Sequence, residues 1–353
     1  MGDTLGYYDG TKLLSMKDID GNTPEIFICS TNRSAGKTTW FNRYMVKRFI
    51  NHGEKFCLMV RYGYEVNDMH NKFFNEIREL FFPQYTMTSK QKANGTYCEL
   101  YLKRNNDKTG RVCGYVIAIN NADNVKKVSH LLADSRRIVF DEFQSEQNKY
   151  APNEVDKFIS IHFSLARGGG EQVRYLPVYM ISNNVSLLNP YYTALKISAR
   201  LTDKTNFLRG TGWVLEQGFN ESASQANKQS AFNRAFGNNE YVQYGSEKIY
   251  LNDSTTFIEK MSGKARYLFT LQYDGQKYGV RLYDSKGIVY INNSPDTSCG
   301  QIYAVTIDDM TTETQFMDKS NIYVQTLRQY FNYGALRFSS LEAKEALFTL
   351  ISY

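Results

Sequence analysis

The sharpest chemical signal in the chain is Ser30-Thr31-Asn32-Arg33-Ser34-Ala35-Gly36-Lys37-Thr38-Thr39, directly behind the apolar run Ile26 to Cys29. A loop of this kind can wrap phosphates with its backbone N–H groups, while the helix that follows adds its dipole. The lysine then reaches the β- and γ-phosphates, and the hydroxyl enters a Mg²⁺ shell. Lys37 and Thr38 fill those two roles, and Thr31 to Thr39 form the expected nucleotide-binding set. Thr31 stands where the pattern G-x-x-x-x-G-K-[ST] has its first glycine, so the loop entry has less backbone freedom. Further on, Arg137-Ile138-Val139-Phe140 runs into Asp141-Glu142, an apolar strand ending in two acids, the Walker B pattern. Asp141 is expected to share the metal with Thr38, and Glu142 to orient and deprotonate the attacking water. Either segment alone could be a chance helix start or a solvated acidic turn. The two in this order point to nucleotide hydrolysis with ATP and Mg²⁺.

Two further residues complete the expected set. Asn183 ends the apolar run Leu176 to Ile181 and can touch both γ-phosphate and lytic water. Arg167 precedes Gly168-Gly169-Gly170, where it could reach a neighbouring subunit's γ-phosphate, with Arg174 and Arg200 as alternatives. The ordinary readings are a turn-prone Asn and a surface Arg at a helix C-terminus.

Positioning these groups takes alternating strands and helices. Short apolar runs at Glu25 to Cys29, Lys55 to Val60 (stopping at Arg61), Arg137 to Phe140 and Leu176 to Ile181 read as buried parallel strands. Helices are expected at Lys37 to Asn51, Asn67 to Phe81 and Asn153 to Ala166, and a hairpin at Tyr97 to Lys103 and Arg111 to Asn120. Asn206 to Gln217 is mixed and strand-like, and Glu221 to Phe236 is polar and helical, so 206–240 reads as a lid or linker. The rest is β-rich with two closing helices, the last capped by Ser339 and Glu342. The expected domains are 1–205, 206–240 and 241–353.

Length and composition agree with this organisation. The chain has 353 residues, room for two or three domains, and an ordinary globular mix of 42% hydrophobic and 22% charged residues. Its net charge of +6 is uneven: residues 1–200 hold 27 Lys and Arg against 20 Asp and Glu, the remainder 15 against 16. Such a balance can attract a polyanion to the first part and is also common in ordinary domains; Lys126-Lys127 and Lys103-Arg104 are candidate phosphate contacts or solvated surface charges, and only the resemblance given below implies duplex DNA. Five cysteines without a C-x-x-C and four scattered histidines argue against a disulfide framework or a zinc site. With no long apolar run and no secretory signal, a reduced, soluble, intracellular protein is expected.

The order of P-loop, strand ending in Arg, Walker B with Asp141-Glu142, and strand ending in Ser182-Asn183 resembles the additional-strand P-loop ATPases. With the β-rich C-terminal region, it resembles the large terminases and packaging ATPases of tailed phages. Met180-Ile181-Ser182-Asn183-Asn184-Val185-Ser186-Leu187-Leu188-Asn189-Pro190-Tyr191-Tyr192 and Val139-Phe140-Asp141-Glu142-Phe143 look like the corresponding stretches of the phi-29-type podophage family. The resemblance implies an α/β motor domain, a helical linker and a smaller α+β domain of RNase H-like fold whose nuclease acids are vestigial. It implies a homopentameric ring in the host cytoplasm, acting transiently at the portal, or connector, of a procapsid and driving double-stranded DNA inward. A structural packaging RNA joins motor to portal in the phi-29 type. Pore loops near Lys126-Lys127 touch DNA in the family. Asp274, Asp284 and Asp308-Asp309 are the acids that an active nuclease could use. Two alternatives stay open at this level: a terminase that also cuts DNA, and a P-loop regulator that does not act on DNA.

Overall fold

A computed structural model describes residues 7–147, 149–167, 172–186, 189–197, 200–201, 205–218, 220–235 and 257–352. The described residues within 1–185 and 206–248 form one compact unit, and those within 186–205 and 249–353 another.

The first unit is built on a nine-stranded sheet of order β3-β4-β5-β2-β6-β7-β1-β9-β8. Its strands are β1 (Ile26–Thr31), β2 (Lys55–Val60), β3 (Tyr85–Lys92), β4 (Tyr97–Arg104), β5 (Arg111–Ala118), β6 (Ser135–Asp141), β7 (Val178–Asn183), β8 (Phe207–Gly210) and β9 (Trp213–Gln217). The six central strands, β5 to β9 in that spatial order, run parallel, with antiparallel partners at both edges. β7 lies between the P-loop strand β1 and the Walker B strand β6, which is the additional-strand arrangement.

Central strands are apolar on both faces because helices cover both. On one face, Phe27, Phe56, Leu58 and Tyr179 pack with Phe41, Met45 and Phe49 of α2 (Lys37–His52) and Phe73, Phe74 and Ile77 of α3 (Met69–Phe81). On the other face, Phe140 stacks on Phe158 of α5 (Glu154–Leu165), which packs against α4 (Ala122–Lys127). A short α1 (Thr11–Ser15) buries Leu13 in the first core.

Two expectations need correction, and one strand is added. The stretch 206–240 is not a lid throughout, because β8 and β9 are hydrogen-bonded members of the main sheet, β9 pairing directly with β1. Helices α7 (Glu221–Gln229) and α8 (Ala231–Ala235) follow, interrupted at Ser230, and 236–256 lies outside the described residues. Residues of 186–205, including α6 (Pro190–Ala194), group with the second unit and not with the motor. Finally, β3 is a strand that no apolar alternation announces, since TMTSKQK is polar and half-exposed, as an edge strand tolerates.

The second unit has a six-stranded sheet of order β14-β13-β10-β11-β12-β15. Strands β10 (Arg266–Tyr273), β11 (Gln276–Tyr283) and β12 (Ile288–Asn292) form an antiparallel meander, and β13 (Ile302–Ala304) pairs parallel to β10. β14 (Gln315–Phe316) extends that edge, and β15 (Leu336–Phe338) lies parallel to β12. The Asp274-Gly275 turn has left-handed backbone at both residues, as a tight hairpin requires. Helices α9 (Ile322–Asn332) and α10 (Leu341–Ile351) supply the apolar cover, with Leu327, Phe331, Leu347 and Phe348 buried. The cap of α10 is Ser340, which accepts the Ala343 N–H at 3.2 Å, whereas Ser339 bonds Asn293 instead.

Candidate nucleotide site

β1 ends at Thr31, and the chain turns through Asn32 to Gly36 into α2. Ser34 (φ 62°) and Gly36 (φ 89°) both take left-handed backbone, and Gly36 is the N-cap of α2. Glycine takes that angle without a Cβ penalty. No side chain caps α2, so its first-turn N–H groups are left for an anion. The loop is held from outside: Tyr8 N–H donates to the Ala35 carbonyl at 2.8 Å, and Asn32 exchanges two hydrogen bonds with the Asn220 backbone.

The chemistry-bearing side chains meet where β1, β7 and β6 end side by side. Lys37 is only 6% exposed, and its Nζ donates to Asn183 Oδ1 at 2.7 Å. Thr38 Oγ1 faces Asp141 Oδ1 at 3.4 Å. Burial pushes the Asp141 carboxyl up, with the Glu142 charge adding to it, while Lys72 and Lys37 oppose. Burial also pushes the Lys37 ammonium down, against the pull of Cys29 and Asp141. Opposite charges strained in both directions at one strand-end cluster are the electrostatic pattern of a functional site. Glu142 follows at φ 57°, its carboxylate in an ion pair with Lys72 of α3 at 3.1 Å. A cavity of about 600 Å³ opens beside it, lined among others by Arg33, Arg61, Tyr64, Glu142, Glu146 and Asn183. Arg33 closes one rim through an ion pair with Glu146.

The remaining expected residues are placed unevenly. Arg167 is exposed, two residues beyond α5, and the glycines after it lie outside the described residues. Arg174 is buried, with Nη2 donating to the Leu165 carbonyl at 2.8 Å at the end of α5, which removes it as a finger. Arg200 belongs to the other unit. Lys126 and Lys127 lie in the last turn of α4 and not in a loop; both are exposed, Lys126 paired with Asp123 and Lys127 with Asn124. They follow β5 at the nucleotide end of the sheet. Lys103 and Arg104 end β4, beside the start of β5, at the opposite end. One DNA-facing group of four is therefore separated into two.

Lys72, Glu154 and Asn184 carry no sequence signal. Lys72 reads as a solvated face of an amphipathic helix, and Asn184, accepting from Ser30 Oγ at 2.5 Å, reads as half of a turn. Arg61 was visible only as the end of a strand.

Residues 1–352 match the model of the Podovirus DNA encapsidation protein (Gp16) family. The chain belongs to that family. The DNA packaging protein of Bacillus phage B103 is 27% identical over 312 residues, spanning 87% of this chain and 90% of that protein. That of Bacillus phage phi29 is 27% identical over 87% of both. Among solved structures, a chain of the bacteriophage Phi-29 viral genome packaging motor assembly matches 98% of both chains at 25% identity and a TM-score of 0.61. This Gp16-family chain is therefore similar to its relatives across both units. Among the described residues, no helix is long and apolar enough to cross a membrane.

Proposed function

We propose that this protein is an ATP-driven translocase that packages double-stranded viral DNA into a procapsid. The observation that carries this reading is the convergence of the Lys37 ammonium, the Thr38 hydroxyl, the Asp141 carboxylate and the Asn183 amide at one strand-end cluster behind an uncapped helix. The donor set fits Mg²⁺–ATP: the Thr38 hydroxyl and the Asp141 carboxylate lie 3.4 Å apart, close enough to serve one cation from the same side, and the N–H groups of α2 await an anion. Thr38 and Asp141 would hold Mg²⁺ there, and the chemistry it would supply is positive charge against the charge that develops on the phosphates. Residues 31–39 cradle the phosphates, Lys37 reaches the terminal ones, and Thr38 and Asp141 hold the metal. Glu142 accepts the proton of the attacking water. Asn183, now bonded to Lys37, changes partner when a terminal phosphate takes that lysine.

Arg167 acts on the site of a neighbouring subunit in a homopentameric ring. Its exposure at the end of a rigid helix supports this. DNA phosphates are met by Lys126 and Lys127, which share the nucleotide end of the sheet. The second unit is read as RNase H-like, because its strands run β12-β11-β10-β13-β14, a meander followed by parallel additions at its first strand. Its acids serve structure: Asp309 accepts from Asp274 N–H and from Thr306, and Asp284 pairs with Arg266. Docking to the portal or a packaging RNA at the procapsid vertex, in the host cytoplasm, is the role left to it.

ATPase rate with and without duplex DNA, together with native mass, tests the reading. DNA-stimulated turnover and a ring mass are expected. Turnover indifferent to DNA in a monomer would sink it. Mixed rings of Arg167→Ala and Lys37→Ala subunits should recover part of the activity, and no recovery removes Arg167 from its role.

A further inference from the structure

Glu142 stands on a left-handed turn that a glutamate adopts only at a cost, so something must hold it there. Arg61, the residue after β2, is buried beside that turn. Its Nη1 donates to the Glu142 carbonyl at 3.3 Å and its Nη2 to the Phe143 carbonyl at 2.7 Å. Its Nε donates to both carboxylate oxygens of Glu154, at 3.1 and 2.9 Å. The guanidinium lies 5.1 Å from the Tyr150 ring centroid. Glu154 is the first residue of α5 and also accepts the Ala151 N–H at 2.7 Å. The planar fork spreads its donors over three nitrogens and so reaches two carbonyls and a carboxylate, whereas the three donors of an ammonium leave one atom and do not span acceptors placed this way.

We propose that Arg61 and Glu154 are a positioning pair for hydrolysis. They lock the turn that aims the Glu142 carboxylate, and they tie it to α5, the helix whose far end leads to Arg167. The inference rests on Glu142 being the base. The pair's contacts run to the Walker B turn, so its loss should fall on kcat and not on the KM for ATP.

Saturation kinetics and melting of the full chain, with duplex DNA present, test this. Arg61→Lys keeps the charge and loses the fork; kcat should fall about 100-fold, the scale set by an ångström of misplacement, with KM within about threefold. In a Glu142→Gln background the same change should cost less than about threefold further, because it acts through Glu142. The double variant Arg61→Met/Glu154→Leu replaces a buried ion pair by apolar groups, which is often neutral for stability, so melting should return while kcat stays low. Recovery of kcat in the double variant, a raised KM with unchanged kcat, or a full further loss in the Glu142→Gln background would each overturn the pair's role. Normal turnover by Glu142→Gln itself would instead remove the base assignment, and the pair's role with it. Should the double variant not fold, Arg61→Lys alone in the two backgrounds decides.

Discussion

The two sheets treat their acids in opposite ways. At the end of β6, Asp141 Oδ1 accepts the Glu142 N–H at 2.9 Å and the Thr38 hydroxyl at 3.4 Å, and burial pushes its carboxyl up against the opposing charges of Lys72 and Lys37. In the second unit, Asp309 accepts three hydrogen bonds, from Asp274 N–H at 2.7 Å and from the N–H and hydroxyl of Thr306 at 3.2 and 2.6 Å. A carboxylate saturated by its own chain is structure. Asp141 accepts one backbone N–H and one long hydroxyl contact on a single oxygen, Oδ1, so its carboxylate keeps capacity for a ligand.

The largest effect that could break this contrast is at Asp141. Asp141→Asn should lower kcat roughly 10²–10³-fold, as loss of a preorganised charge does. It should also raise the melting temperature of the nucleotide-free chain. The raised pKa means that the stability this group lends is complete below its unfolded value, near 4, and is lost as pH rises through the folded one. The variant should therefore lose part of the gain that the wild type shows on mild acidification. A variant that melts earlier at neutral pH would mean that Asp141 is structural after all.

Lys344 sharpens the contrast from the other side. It is 1% exposed in α10, with the rings of Phe348 and Phe257 at 5.5 and 5.8 Å, and burial pushes its ammonium down to about 8. A depressed pKa lends stability above the unfolded value, near 10.4, and that stability is lost as pH falls through about 8. The linked change is about 3 kcal/mol, so urea midpoints should rise between pH 7 and 10. Lys344→Met should remove that rise and gain about 2 kcal/mol at pH 7, after about 1 kcal/mol of lost cation–π contact. A flat wild-type profile would show that the lysine finds water.

How much of this was legible in the sequence follows from the range of the forces involved. Local pattern located the loop between β1 and α2, the acidic end of β6, α2, α3, α5 and the β10–β12 meander, because each depends on residues a few positions apart. The edge strand β3 was missed, because its pairing with β4 and not its own apolarity makes it a strand. From sequence β9 reads as part of a lid, because nothing nearby says that Trp213–Gln217 pairs with β1, nearly two hundred residues away. The same limit hid Lys72 and gave Arg61 no role, and it grouped Lys103-Arg104 with Lys126-Lys127 at what became opposite ends of one sheet.

At Asp309 the expectation is the reverse of that at Asp141. Asp309→Asn keeps one acceptor oxygen and gives up the charge, so about 1–3 kcal/mol of stability should be lost. ATPase kcat should not move. Plasmid cleavage with Mn²⁺ that disappears in this variant would show the carboxylate at work on a metal, and would bring the two acids back into one class.

The smallest expected effect tests the strain on the nucleotide side directly. Ser34 holds φ 62° within the loop, and left-handed backbone costs an L-residue about 1–2 kcal/mol. Ser34→Gly removes that cost but gives the unfolded chain about 0.5–1 kcal/mol more entropy to lose. The net gain should be about 0.5 kcal/mol, one or two degrees in melting temperature. Whatever part of that entropy the folded loop keeps until phosphates order it falls on binding instead, so the KM for ATP should rise, by at most about two- to fivefold. Stability and affinity would then move in opposite directions at a single residue. A fall in melting temperature would mean that the left-handed serine is comfortable where it stands, and that the strain of this site resides in its charges alone.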